Sequence, residues 1–330
     1  MLSSEFVFLF LVAGGSAIAV GIVRQLAVAH GVIDHPTSRG SHDVPTPRGG
    51  GLGAIIAIVI ALGTLGVRAS EPAILVSIVA CVAVAIVGWF DDRSGLSVRS
   101  RLVVHVTSGL AVGLLWVSGV GPTPVHLALV VWWVFWTVSS INLVNFMDGI
   151  NGLVTLQIAI FAASLMLLGW ETNASSWYAG TVAAACLGFL PWNFPRARIF
   201  LGDIGSGALG FLVPVLAVLA MRDGETDVIR AHLPLLPLFG DATITIIRRL
   251  RRGERLTEPH RTHLYQRLAI VGMGHTRVTL IYAAASLCGA VVAHSARPSF
   301  DWLLIAMYVV GVFLLGLLLE RRLRTGSELT

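Results

Sequence analysis

A chain of 330 residues that is 55% hydrophobic and only 12% charged, with a mean hydropathy of +0.82, is excluded as a water-soluble globule, whose surface needs roughly a quarter of its residues charged. The net charge of +5 and a pI near 9.7 do not make it a nucleic-acid binder either. The charge lies in short loops beside apolar runs, where anionic lipid head groups and phosphorylated substrates are the expected partners.

The apolar runs are continuous and lack the alternation of barrel strands, so the expected fold class is all-α, a polytopic membrane helical bundle. In chain order the spans are expected at 6–27, 51–68, 72–90, 101–118, 125–144, 152–170, 176–193, 205–221, 231–247, 274–293 and 301–319, eleven in all. Pro214, Pro234 and Pro237 interrupt the eighth and ninth and predict a kink or break there. The first run is read as retained, because Glu5 stands where a signal peptide is basic and no small-residue cleavage pattern follows.

Every basic side chain is an arginine; the chain has no lysine. Counting loops alternately puts Arg24, Arg39, Arg48, Arg93, Arg99, Arg101, Arg196, Arg198, the run Arg248 to Arg267 and the tail Arg321, Arg322 and Arg324 on one side. Arg68, Arg222, Arg230 and Arg297 fall on the other. The positive-inside rule makes the first side cytoplasmic, with the N-terminus out and the C-terminus in. Residues 1–330 are then one integral membrane domain with cytoplasmic loops at about 28–50, 91–101, 145–151, 194–204 and 248–273. Cys81, Cys186 and Cys288 lie scattered in apolar spans without CxxC spacing and read as packing.

The acidic and amide residues collect where spans end on that cytoplasmic side, and a membrane protein keeps carboxylates there to hold a metal or carry chemistry. The first loop carries Pro45-Thr46-Pro47-Arg48-Gly49-Gly50-Gly51. Its glycines open a helix that can receive a phosphate, or else allow close helix packing. Arg48 and Arg39 are anion contacts or interfacial anchors. The second loop opens with Asp91-Asp92. Adjacent carboxylates can serve as one metal ligand and one base, and a helix C-terminus disfavours them as mere solvated charge.

In the third loop Asn142, Asn145 and Asp148 share one helical face, followed by Asn151. Such a stripe can read a nucleobase or sugar edge, or glue helices together. Trp132, Trp133 and Trp136 earlier in that span read as packing or interface residues. The fourth loop has Arg196 and Arg198, then Phe200-Leu201-Gly202-Asp203-Ile204-Gly205-Ser206, with Asp203 at the start of a helix, as a cap or as a metal or phosphate contact. The fifth is the most basic and holds Glu258-Pro259-His260-Arg261-Thr262-His263, an anion or sugar site in which neither His-Glu-x-x-His nor a cysteine set supports zinc. Asp241, inside the proline-broken span and without a motif around it, is read as supporting or structural.

Taken in order and on one side, these five motifs resemble the polyprenyl-phosphate N-acetylhexosaminyl-1-phosphate transferases, which include phospho-N-acetylmuramoyl-pentapeptide transferase; the resemblance covers nearly the whole chain. It implies that the phosphate of undecaprenyl phosphate attacks the β-phosphorus of a UDP-N-acetyl sugar, releasing UMP and initiating a surface polysaccharide on the inner membrane. It also implies Mg2+, with Mn2+ as a substitute, to bring two polyanions together. Carried onto this chain, Asp203 and Asp92 are the expected metal ligands, and Asp91, Asp92 and His263 the catalytic residues. Arg48, Asn142, Asn145, Asp148, Arg198, His260 and Arg261 are the substrate contacts.

The partners the resemblance implies are the UDP-sugar, undecaprenyl phosphate and membrane lipid, not nucleic acid, with a second copy of the chain as an optional one. His-Arg-Thr-His and the absence of lysine depart from the muramoyl-pentapeptide branch, with its His-His-His run and first-loop lysine, and favour the O-antigen-initiating branch. The rival readings are the muramoyl-pentapeptide activity and an ion-coupled transporter. A transporter would place its acids near the midplane of repeated halves.

Overall fold

The computed structural model describes residues 4–36, 44–69, 72–169, 174–255, 260–296 and 301–327; Arg39, Glu258 and Arg297 of the sequence reading lie outside them. Among the described residues the helices are α1 (Ser4–Ala29), α2 (Gly51–Ala69), α3 (Pro72–Ser94), α4 (Val98–Val120), α5 (Pro124–Met147), α6 (Leu153–Leu168), α7 (Ala174–Asn193), α8 (Gly202–Arg222), α9 (Val228–His232), α10 (Leu236–Arg251), α11 (Leu264–Leu268), α12 (Gly274–Ser295) and α13 (Trp302–Ser327). Two-residue strands, β1 (Ile33–Asp34) and β2 (Thr46–Pro47), pair antiparallel with Ile33 opposite Pro47. The protein is therefore all-α, as expected.

The first eight and last two expected spans each correspond to one helix. The ninth is broken into α9, a 3-10 turn at Leu233–Leu235, and α10. Pro234 and Pro237 stand second in the turn and in α10, within the first turn where a missing N–H costs nothing, so each marks a new segment. Pro214 sits inside α8 without ending it. The starts of α4, α5 and α9 are capped by short polar side chains. Thr123 Oγ1 accepts the His126 N–H at 3.2 Å before α5, and Asp227 Oδ1 accepts those of Ile229 and Arg230 at 2.9 Å before α9.

Among the described residues seven helical stretches are long and apolar enough to cross a membrane, and the apolar stretches of α2 and α6 are shorter. The outside of the bundle is apolar, with Leu303, Val131 and Val79 more than 70% exposed, the inverse of a soluble surface. The protein is thus an integral membrane protein.

Helix α8 forms the axis: 94% of its apolar window is buried, against 6% for α13 at the periphery. Its sequence explains the position, since Gly205, Gly207, Ala208 and Gly210 let α2, α3 and α5 approach its backbone. Ser140 Oγ of α5 donates to Gly210 O at 2.7 Å, an interhelical bond worth roughly 1 kcal/mol in a bilayer. This packing holds the first turn of α8 level with the last turns of α3 and α5.

Candidate active site at the aspartate end of the bundle

The first turn of α8 needs acceptors for its orphan N–H groups, and its own cap residue, Leu201, has none to offer. Asp92, from the end of α3, supplies them: Oδ1 accepts the Asp203 N–H at 3.2 Å and Oδ2 that of Ile204 at 3.5 Å. A carboxylate at a helix N-terminus is also favoured by the dipole. The approach depends on glycine. A Cβ on Gly88 of α3 would lie 2.7 Å from Ile204 N, and one on Gly202, whose φ is +75°, would lie 2.7 Å from Asp92 Oδ2.

The first and fourth loops are joined by main chain. Phe200 N donates to Pro47 O at 2.8 Å, Gly50 N to Phe200 O at 2.8 Å and Gly51 N to Leu201 O at 2.9 Å. Two of the three glycine amides are thus engaged in this pairing, which favours the packing reading of that motif. The pairing delivers Arg48 to the aspartates: Nη2 lies 2.6 Å from Asp92 Oδ1 and 3.3 Å from Asp203 Oδ1. A single guanidinium holds two carboxylates from different helices.

Asp91 takes a different part from its neighbour. Its Oδ1 accepts the Leu96 N–H at 2.7 Å and its Oδ2 pairs with Arg101 at 2.5 Å, bracing the turn between α3 and α4.

Beside Arg48 and Asp203 opens a polar cavity whose wall includes Asp34, Asn145, Asp148, Asn151, Asn193, Arg261 and Gln266. Ser206 Oγ of α8 donates to Asn145 Oδ1 at 2.7 Å, fixing that amide. A smaller cleft joins it through Asn145 and Asp203 and reaches Asp91, Arg101, His105 and Asn142. There Asn142 donates from Nδ2 to Val138 O of its own helix at 2.7 Å.

Of the expected residues, Arg48, Asn145, Asp148, Asp203 and Arg261 therefore share the cavity, with Asp92 bound to two of its walls. Arg198 is exposed outside it, its carbonyl accepting from Arg24 Nε at 3.2 Å. His260 and His263 do not line it. The His263 ring is 2% exposed, and burial, with His260, Arg249 and Arg248, pushes its imidazole down to about 3, so it is neutral. Asp34, Asn193 and Gln266 were not among the expected contacts. Asn193 bridges two loops, accepting the Gly152 N–H at 2.6 Å and donating to Ile199 O at 3.0 Å. Its place at a span end on the aspartate side is the signal that would have found it.

The carboxyl of Asp148 is pushed up to about 7 by burial, then by Asp203 and Asp92, against the opposing pull of Arg48. Its proton is held more tightly folded than unfolded, so the cation-free protein has this stabilisation in full below the ordinary value of 3.8 and loses it as pH rises towards 7. In chelator, the melting temperature of the wild type is expected to fall from pH 5 to pH 8 more steeply than that of Asp148→Asn. Parallel profiles would remove Asp148 from this role.

A hard divalent cation suits the donors present. Asp92 and Asp203 offer carboxylate oxygens already gathered about one positive group, Arg48. Among the described residues no three His, Cys or acidic side chains form a complete cage. Mg2+ does not need one, since it commonly takes one or two carboxylates and completes its shell with waters and substrate phosphates.

The fold and site place the protein in a class: helical integral membrane proteins with carboxylates and a guanidinium gathered at one end of the bundle beside a polar cavity. The glycosyl transferase family 4 model matches residues 74–221. The decaprenyl-phosphate N-acetylglucosaminephosphotransferase of Mycobacterium tuberculosis is 31% identical over 306 residues, 80% of this chain and 75% of the relative. The probable undecaprenyl-phosphate N-acetylglucosaminyl 1-phosphate transferase of Bacillus subtilis is 26% identical, over 89% of this chain and 85% of its own. The undecaprenyl-phosphate alpha-N-acetylglucosaminyl 1-phosphate transferase of Escherichia coli K12 is also 26% identical, over 90% and 86%. The chain belongs to this family of polyprenyl-phosphate sugar-1-phosphate transferases.

Proposed function

We propose that the protein transfers an N-acetylhexosamine 1-phosphate, with N-acetylglucosamine as the first choice, from its UDP-sugar to undecaprenyl phosphate on the cytoplasmic face of the inner membrane. The product is the lipid-diphosphate sugar that initiates a cell-envelope glycan. The observation that carries this reading is Arg48 seated between Asp92 and Asp203 at the edge of a cavity that also holds Asp148 and Arg261. The relatives' names support the acceptor and the sugar.

In the reaction, an oxygen of the lipid phosphate attacks the β-phosphorus of the donor, the bond from that phosphorus to the bridging oxygen breaks, and UMP leaves with it. Arg48 and Arg261 bind and orient the phosphates, the work that dominates catalysis when the transferring group needs little covalent help. Asn145, Asp148 and Asn151 face the nucleotide and sugar. The lipid phosphate is largely ionised at neutral pH, so Asp92 serves chiefly to position groups and needs no strong basicity. Asp203 and Asp92 would hold Mg2+, which when bound supplies positive charge to the crowded phosphate oxygens.

An outside N-terminus, an inside C-terminus and eleven crossings agree with the arginine distribution and with the aspartate motifs meeting at one end of the bundle. Purified protein given undecaprenyl phosphate, Mg2+ and a panel of UDP-sugars is expected to release UMP from UDP-N-acetylglucosamine or a near relative. Release only from the muramoyl-pentapeptide donor would place the protein in peptidoglycan synthesis instead.

A further inference from the structure

Asp241 lies outside the five motifs, yet it is one of the most heavily bonded side chains in the molecule. It projects from α10 and is 8% exposed. Its Oδ1 accepts the Leu264 N–H at 2.8 Å and the Thr245 hydroxyl at 3.3 Å; its Oδ2 accepts the Tyr265 N–H at 3.0 Å and the Tyr282 hydroxyl at 2.7 Å. The four donors come from α10, α11 and α12. Both carboxyl oxygens are thus engaged as acceptors, each by two donors.

Leu264 and Tyr265 are the first two residues of α11, and His263, their cap residue, makes no side-chain cap. Asp241 thus supplies from another helix the cap that α11 lacks. The next contact leads to the site. Tyr265 is fully buried, its hydroxyl donates to Phe146 O at 3.0 Å, and a Cβ on Gly149 would collide with that hydroxyl. The ring is thereby tied to both flanks of the turn that carries Asp148. Arg261 and Gln266, on either side of the clamped residues, line the same cavity as Asp148 and Asp203.

We infer that Asp241 is a positioning residue, which clamps the start of α11 so that Arg261 and Gln266 are held in the wall of the cavity that takes the donor. It touches no reacting atom. The inference rests on the transfer reaction proposed above for its kinetic consequence, though the clamp itself does not. An isosteric amide at this position would turn one acceptor into a donor facing two donors, so Asp241→Asn removes the clamp with little change in volume.

The test uses the full chain in detergent with Mg2+, UDP-N-acetylglucosamine and undecaprenyl phosphate. Asp241→Asn is expected to raise the donor KM and weaken UMP inhibition by about tenfold or more, with the acceptor KM changed by less than about twofold. Tyr282→Phe, which removes one bond of the four, should shift the same two constants in the same direction by about threefold. Amide hydrogen exchange at Leu264 and Tyr265 should accelerate in both variants, whether or not any sugar is turned over.

Unchanged exchange, or a donor KM and UMP constant that stay put in a folded variant, would overturn the inference. If Asp241→Asn fails to fold, Tyr282→Phe decides by the same readings. Absence of turnover by the wild type with every donor would count against the proposed function and leave the exchange result to judge the clamp.

Discussion

Asp203→Asn is expected to lower kcat/KM by about a thousandfold or more, some 4 kcal/mol of transition-state stabilisation, while the variant stays folded. The amide fits the same space at the first turn of α8 and leaves the backbone N–H on Asp92 in place. What it loses is the charge that faces Arg48 at 3.3 Å and borders the cavity. The proposed site, in which phosphates and a divalent cation are held together, cannot replace that charge with a neutral dipole. The measurement is UMP release at saturating Mg2+, beside a melting curve for each form. Near-normal turnover at ordinary Mg2+ would take Asp203 out of the metal site.

The second large effect separates two adjacent carboxylates. Asp92→Asn should cost about a thousandfold in turnover, because Asp92 binds Arg48 at 2.6 Å and caps the helix that presents Asp203. Asp91→Asn should leave turnover within about tenfold and lower stability by about 1–2 kcal/mol, because its partners are Leu96 N and Arg101 in the turn between α3 and α4. Equal losses of turnover from the two substitutions, with equal stabilities, would defeat this division. The comparison is informative because the two side chains differ in neighbours and not in chemistry.

The aspartate pair also shows where reading from residues reaches its limit. Apolar length and arginine placement depend on local composition, so ten of the eleven spans correspond to single helices and the prolines of the ninth break it at the expected place. The five motifs announced themselves by clustering polar residues at span ends. The direction in which each side chain points is another matter. His260 and His263 form a conspicuous pair, yet neither lines the cavity, and the intervening Arg261 does. Asn142 and Asn145 share a helical face, but Ser206 of α8 engages only Asn145. Asp241 carries no local motif because three of its four partners lie 23, 24 and 41 residues away.

Hydrophobicity and charge act on each segment by itself, so the sequence alone determined the membrane-spanning class, the helix order, the aspartate end and the family resemblance. Tertiary packing decided the rest. The small residues of α8 brought α3 and α5 to its first turn, loop pairing delivered Arg48, and capping demands of α8 and α11 drew in Asp92 and Asp241. Those are long-range contacts between groups far apart in the chain, and their geometry depends on how whole helices meet, which no local pattern encodes.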